Sequence, residues 1–125
     1  MEPLSLEEAY KRCYIDFSSL IEEQAVPVTD ELLSVAIANS VVASERVREL
    51  ALFSKGEIID EHPTSSLQYL FINYFSAKFH SSWLSIQERL SHLLISKRLF
   101  DNFIQECMDL NAIDPADSDD LRHEV

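Results

Sequence analysis

A single glycine, Gly56, is the feature that most limits what this sequence can fold into. Glycine supplies the backbone conformation of most tight turns, so a chain of 125 residues with one glycine and four prolines has too few turn residues for an all-β domain. The length is close to the commonest size of one domain, and 46% of the residues are hydrophobic, which is enough for one core. The sequence therefore favours a single helical domain.

Hydrophobic residues recur at the spacing of amphipathic helices through most of the chain. Four helices are predicted, over residues 5–26, 29–54, about 64–79 and about 82–111. Ser5 and Glu8 form a capping box at the first start, and Thr29 caps the second helix, which Gly56 ends. The apolar stripe of the fourth helix drifts around its axis, which allows a bend or break near Ser96. This stripe includes Leu84, Leu90, Leu93, Leu94, Phe100, Phe103, Ile104, Cys107 and Leu110.

Successive amphipathic helices with short connections are typical of an antiparallel bundle or of helical-hairpin repeats. We therefore expect an all-α antiparallel array of about four to five helices. After Ile113 the composition becomes strongly acidic, with Pro115 early in the run. The expected organisation is a helical interaction domain over residues 1–112 and an acidic, disordered tail over residues 113–125.

The charge of the chain limits its partners. Lys and Arg number 10 against 22 Asp and Glu, which gives a net charge of −12. Such a field repels phosphate backbones and anionic lipid headgroups, so we expect neither nucleic-acid nor membrane binding. No run approaches the roughly 20 apolar residues that span a bilayer, and the acidic N-terminus does not resemble a signal peptide. A cytoplasmic location is expected, with Cys13 and Cys107 as buried, reduced thiols.

The sequence offers little support for catalysis. A nucleophile needs a base and an orienting acid nearby, and neither cysteine nor any of the histidines lies in a recognisable motif. One glycine leaves no phosphate-binding loop. His80 and His92 are twelve residues apart on different predicted helices, which makes them a weak zinc candidate. We expect no enzyme activity, no cofactor and no metal.

Two segments carry a resemblance to a known family: LALFSKGE at residues 50–57 and, after an acidic loop, TSSLQYL at residues 64–70. SIQERL at residues 85–90 and FIQEC at residues 103–107 add a looser match. Together they resemble the alpha-4 family of type 2A phosphatase-associated proteins, also called immunoglobulin-binding-protein-one-like or TAP-forty-two-like proteins. The resemblance covers about residues 5–112, which correspond to the N-terminal part of the family's chains.

The resemblance implies a tetratricopeptide-like or 14-3-3-like array that binds the catalytic subunits of type 2A, 4 and 6 serine/threonine phosphatases. Family members shield and stabilise those subunits and connect them to TOR signalling. The family's downstream cluster of Arg and Lys, which carries much of the phosphatase contact, has no counterpart in this sequence.

The most specific part of the resemblance predicts the partner-binding residues. They are exposed polar positions of the loop and the adjoining helix ends: Lys55, Glu57, Asp60, Glu61 and Gln68. A solvated loop with no partner is the alternative for each of them. A different hypothesis is a generic helical module that binds a peptide or helix in an apolar groove, with Tyr74, Phe79 and Trp83 as anchors. Self-association through an uncovered helical face also stays open.

Overall fold

The computed structural model describes residues 4–50 and 67–110, and the regular elements in these two ranges are all helical. Helix α1 spans Leu6–Phe17, and a wider π-helical turn extends it over Ser18–Glu22. Helix α2 spans Asp30–Glu49. A short 3-10 turn over Gln68–Phe71 leads into α3, Ile72–Ser81, and α4 spans Ile86–Asp109. Helix α1 packs on α2, α2 on α3 and α3 on α4, which confirms the predicted all-α antiparallel array.

Local capping explains where the first two helices begin. The Ser5 hydroxyl accepts a hydrogen bond from the Glu8 N–H at 3.2 Å, and the Thr29 hydroxyl accepts one from the Leu32 N–H at 3.1 Å. Each cap satisfies a backbone donor that has no partner inside its helix. Both predicted starts are confirmed.

Helix α1 ends in an unusual way for a chain so poor in glycine. After the π-helical turn, Gln24 has a φ of 49°, in the left-handed region that glycine normally fills. The Glu23 N–H bonds to the Ser18 carbonyl, and the Ala25 N–H bonds to the Ser19 carbonyl. The helix therefore stops before Pro27, as predicted, without a glycine.

Helix α4 begins later than predicted and is not interrupted. Its first helical residue is Ile86, because Trp83–Ser85 form a non-helical connection. Ser96, where a bend or break was allowed, lies in a continuous helix and its hydroxyl donates to the Ala77 carbonyl at 2.7 Å. The second helix was predicted to run to residue 54, and the structure ends it earlier, at Glu49 with Leu50 as its C-cap. Gly56 and the predicted start of the third helix lie outside the described residues.

The core lies between α1, α2 and α3 and is rich in aromatic rings. Phe17 stacks on Phe75 with ring centroids 4.5 Å apart, and Phe79 is fully buried beside them. Small residues, Ala36 among them, let α2 approach closely. The larger of the two core clusters contains Cys13, Phe17, Leu20, Leu33, Ala36, Phe75, Phe79 and Trp83, and the smaller contains Leu6, Ala9, Ala43 and Ile72.

Candidate interaction surface

Gln68 is the one predicted partner-binding residue within the described ranges. Its side chain is exposed at the start of the 3-10 turn before α3. The turn is packed against the domain, because the Tyr69 ring meets the Tyr10 ring edge-on with centroids 5.3 Å apart and Leu70 is buried. The structure therefore presents Gln68 to solvent on an anchored turn. The other four, Lys55, Glu57, Asp60 and Glu61, lie outside the described residues.

The aromatic groove considered from the sequence does not form as expected. Phe79 and Trp83 are both buried, so neither can serve as an exposed anchor. Tyr74 is half-buried under the rings of Phe17, Phe100 and Phe103. These aromatic residues join helices within the domain, which is the commoner role of such residues.

The connection between α3 and α4 is fixed by a carboxylate from another helix. Asp30, in the first turn of α2, accepts hydrogen bonds from the Leu84 N–H at 2.8 Å and from the Ser85 N–H at 3.0 Å. These donors precede α4 directly and have no partner within it. Asp30 therefore sets where α4 begins.

Two histidines meet across the same connection. The Nδ1 atoms of His80 on α3 and His92 on α4 are 2.8 Å apart, so one ring donates and the other accepts a hydrogen bond. The Trp83 ring stacks on His92 with centroids 3.9 Å apart. The sequence analysis considered the two histidines together only as a weak zinc candidate. Their direct hydrogen bond was not predicted, because the turn that folds α4 back onto α3 could not be read from the sequence.

The electrostatics of this site favour a neutral imidazole at His80. Burial, with a smaller contribution from the neighbouring His92, lowers the pKa of His80 from 6.5 to about 4. Glu88 lies at the outer side of the pair, with its Oε2 3.9 Å from the Nε2 of His92. Within residues 4–50 and 67–110, no group of three or more His, Cys, Asp or Glu is arranged to hold a metal ion. The pair joins α3 to α4 through a hydrogen bond.

Both cysteines are buried and free, as the sequence predicted. Burial raises the pKa of Cys13 to about 12, with a smaller contribution from the charge of Asp16. Burial likewise raises the pKa of Cys107 to about 11, with a smaller contribution from Glu106. Since the thiolate is the reactive form, these thiols are poor nucleophiles at neutral pH.

The outer side of α4 carries large apolar residues that contact little else. Ile86 is 88% exposed, Leu90 69% and Leu94 59%. The sequence analysis placed Leu84, Leu90, Leu93 and Leu94 in the apolar stripe of this helix, and the structure shows all four exposed. Ile104 and Cys107, which belong to the same stripe, are buried, as is Ser96. The stripe is thus buried only toward its C-terminal end, because periodicity identifies an apolar face without showing whether another element covers it.

The described elements define an all-α antiparallel helical array. The sequence model of the TAP42-like family matches residues 6–124, and the chain belongs to that family. This confirms the resemblance carried by residues 50–70, and TAP42-like proteins are phosphatase-associated regulatory adaptors. A search of individually curated proteins found no match. Among the helices that the structure describes, none is both long and apolar enough to cross a membrane.

Proposed function

We propose that this protein is a non-catalytic regulatory adaptor that binds the catalytic subunit of a type 2A-like serine/threonine phosphatase, of type 2A, 4 or 6. It acts in the cytoplasm, in TOR-linked signalling. The observation that carries the proposal is the match of the TAP42-like family over residues 6–124, which includes all of the described helices.

The chemistry of the described residues supports an adaptor better than an enzyme. The groups closest to catalytic types are held in unreactive forms, because the Cys13 and Cys107 thiols have raised pKa values and the His80 pKa is lowered to about 4. His80 and His92 use their Nδ1 atoms on each other.

The proposed phosphatase contact is the segment before α3, with Lys55, Glu57, Asp60, Glu61 and Gln68 as its polar residues. The exposure of Gln68 on an anchored turn supports this placement, since a contact residue held in position loses little entropy on binding. The net charge of −12 favours encounter with a basic patch on the partner.

Affinity capture with purified catalytic subunits tests the proposal. The immobilised chain should retain at least one of the type 2A, 4 and 6 subunits, and Asp60→Lys with Glu61→Lys should weaken that capture. The matched control reverses Glu22 and Glu23, an adjacent exposed pair at the end of α1. If the control weakens capture equally, the effect is one of net charge and the contact lies elsewhere. If no subunit binds while a full-length relative retains one, the phosphatase proposal is wrong.

A second candidate function is a helix-binding module without a phosphatase partner. The exposed apolar face of α4 favours it, because soluble monomers rarely leave contiguous apolar surface uncovered. Self-association through that face is the corresponding homomeric form, and it predicts a dimer in sedimentation equilibrium.

A further inference from the structure

One side of α4 forms a continuous exposed strip, here called the α4 outer face: Ile86, Leu90, Leu93, Leu94, Lys97 and Arg98. Residues four apart on a helix are displaced by only about 40° around its axis, so Ile86, Leu90 and Leu94 span an arc of about 80°. Lys97 falls within this arc. Ser96, which bonds to α3, lies about 120° away from Leu90 at 100° per residue. Over residues 86–98 the outer face is therefore separate from the side of Ser96, and it ends before Ile104, which falls in line with Ile86 and is buried.

The charge around this face has the opposite sign to the rest of the molecule. Residues 86–98 contain three basic residues and one acid, in a chain of net charge −12. The acid, Glu88, lies beside His92, on the far side of the helix from Leu90. Arg89 donates to the Trp83 carbonyl at 2.8 Å. Lys97 and Arg98 are exposed and lie at the C-terminal end of the apolar strip. Asp101 follows one turn later.

A second copy of this chain does not match that charge pattern. An antiparallel pair of α4 helices centred between Leu90 and Leu94 would place Lys97 near Gln87 and Arg98 near Ile86 of the other copy. No acid stands at either place. The two copies would also repel each other at long range, because each carries a net charge of −12.

We propose that the α4 outer face binds an amphipathic helix supplied by another protein. The apolar residues of that helix cover Ile86, Leu90 and Leu94, and its acidic residues pair with Lys97 and Arg98. This is packing of one amphipathic helix on another with selection by charge, in which apolar burial provides affinity and the two bases select an acidic partner. The proposal does not depend on phosphatase binding, because it concerns a different element from the segment before α3.

A pair of designed peptides tests the proposal on the full chain. Each peptide has about 18 residues, long enough for about 27 Å of helix, with leucines at helical spacing on one face. The flanking charged positions are glutamate in one peptide and lysine in the other. Fluorescence anisotropy should show the glutamate peptide binding about tenfold or more tightly than the lysine peptide, a difference set by the two bases. Leu90→Asp with Leu94→Asp should abolish binding of the glutamate peptide.

Charge reversal gives a second, independent test. Lys97→Glu with Arg98→Glu should make the chain prefer the lysine peptide. The control reverses Lys11 and Arg12, an adjacent exposed basic pair on α1, and should keep the preference for glutamate. Circular dichroism confirms that each variant keeps its helices.

Four results would overturn the proposal. They are failure of the unmodified chain to bind the glutamate peptide, equal binding of both peptides, a stable dimer that Leu90→Asp dissociates, and binding to anionic phosphatidylserine vesicles that the Lys97 and Arg98 reversal removes. The third result would assign the face to a second copy and the fourth to a membrane. None of these readouts involves a phosphatase subunit, so this proposal and the proposed function can fail separately.

Discussion

At the scale of single residues, the contact between His80 and His92 works only while at least one ring nitrogen at the contact is unprotonated. The two Nδ1 atoms are 2.8 Å apart, and a proton on each would place two donors against each other. Burial and the neighbouring ring both oppose a charge on His80. Two further residues surround this contact. Trp83 stacks its aromatic ring on His92, and Glu88 provides a distant carboxylate on the side of the outer nitrogen of His92.

The stability of the fold should therefore depend on pH through His80. Its pKa is about 4 in the folded chain and 6.5 in its ordinary state, so the unfolded chain binds more protons between these values. Stability that is present above pH 6.5 is lost as the pH falls toward 4. Urea unfolding over this range should show a free energy of unfolding that declines more steeply for the unmodified chain than for His80→Gln. Parallel declines would show that His80 is not the responsible group.

Substitution of Gln24 is expected to raise the stability of the fold. Its φ of 49° is one that residues with a Cβ adopt at a cost, and its side chain is exposed. Gln24→Gly should raise the free energy of unfolding by about 0.5–1 kcal/mol, because relief of strain outweighs the extra freedom of glycine in the unfolded chain. Urea unfolding measures this, with Gln24→Ala as the control that keeps the Cβ and should change little. Equal effects of the two substitutions would exclude backbone strain as the cause.

At the scale of elements, the start of α4 is determined by a carboxylate on α2. Asp30 accepts two backbone hydrogen bonds, and its loss leaves the Leu84 and Ser85 donors without that partner. We expect Asp30→Ala to lower the free energy of unfolding by about 1–2 kcal/mol, within the range for losing a capping group.

Glu31 provides the matched control for Asp30. It is an exposed acid in the same first turn of α2, so Glu31→Ala removes the same helix-dipole interaction without touching α4. Amide hydrogen exchange at Leu84 and Ser85 should accelerate in Asp30→Ala and stay unchanged in Glu31→Ala. A result in which both substitutions act alike would reduce Asp30 to a dipole partner of its own helix.

How well the sequence predicted each element depended on the range of the interaction that defines it. The side chains of Ser5 and Thr29 each accept a hydrogen bond from a backbone N–H three residues further along the chain. The starts of both helices could therefore be predicted from the local sequence. Asp30 acts on Leu84, a residue 54 positions away, and no local pattern contains that contact. The exposed position of Leu90 was missed for a related reason, because helical spacing describes one helix and not its neighbours. Of the predicted site, only Gln68 lies where the structure describes it.

At the scale of the whole molecule, Phe79 is fully buried in the larger core cluster, which also contains Cys13. Phe79→Ala should lower the free energy of unfolding by about 3–5 kcal/mol, through lost burial and the cavity left behind. Because Cys13 is fully buried, its reaction with a thiol reagent should require opening of the core and should accelerate in this variant.

Leu90→Ala is the control for this experiment. It removes an apolar side chain that is 69% exposed, so both stability and the rate of thiol modification should stay near those of the unmodified chain. If Leu90→Ala destabilised the chain as much as Phe79→Ala, the outer face of α4 would be part of the core in solution. A rate that did not respond to Phe79→Ala would show that Cys13 is reached by a local fluctuation.

The two-sided character of α4 has a consequence for how a partner would bind. One side of the helix is hydrogen-bonded to α3 through Ser96. The other side is an exposed surface that is already formed when no partner is bound. A helix that binds to this side adds one more layer to the array, and no packed residue has to move. Its heat-capacity change should then reflect surface burial alone, without the larger change that accompanies coupled folding. Association should slow as salt screens Lys97 and Arg98, while dissociation should depend mainly on the leucines.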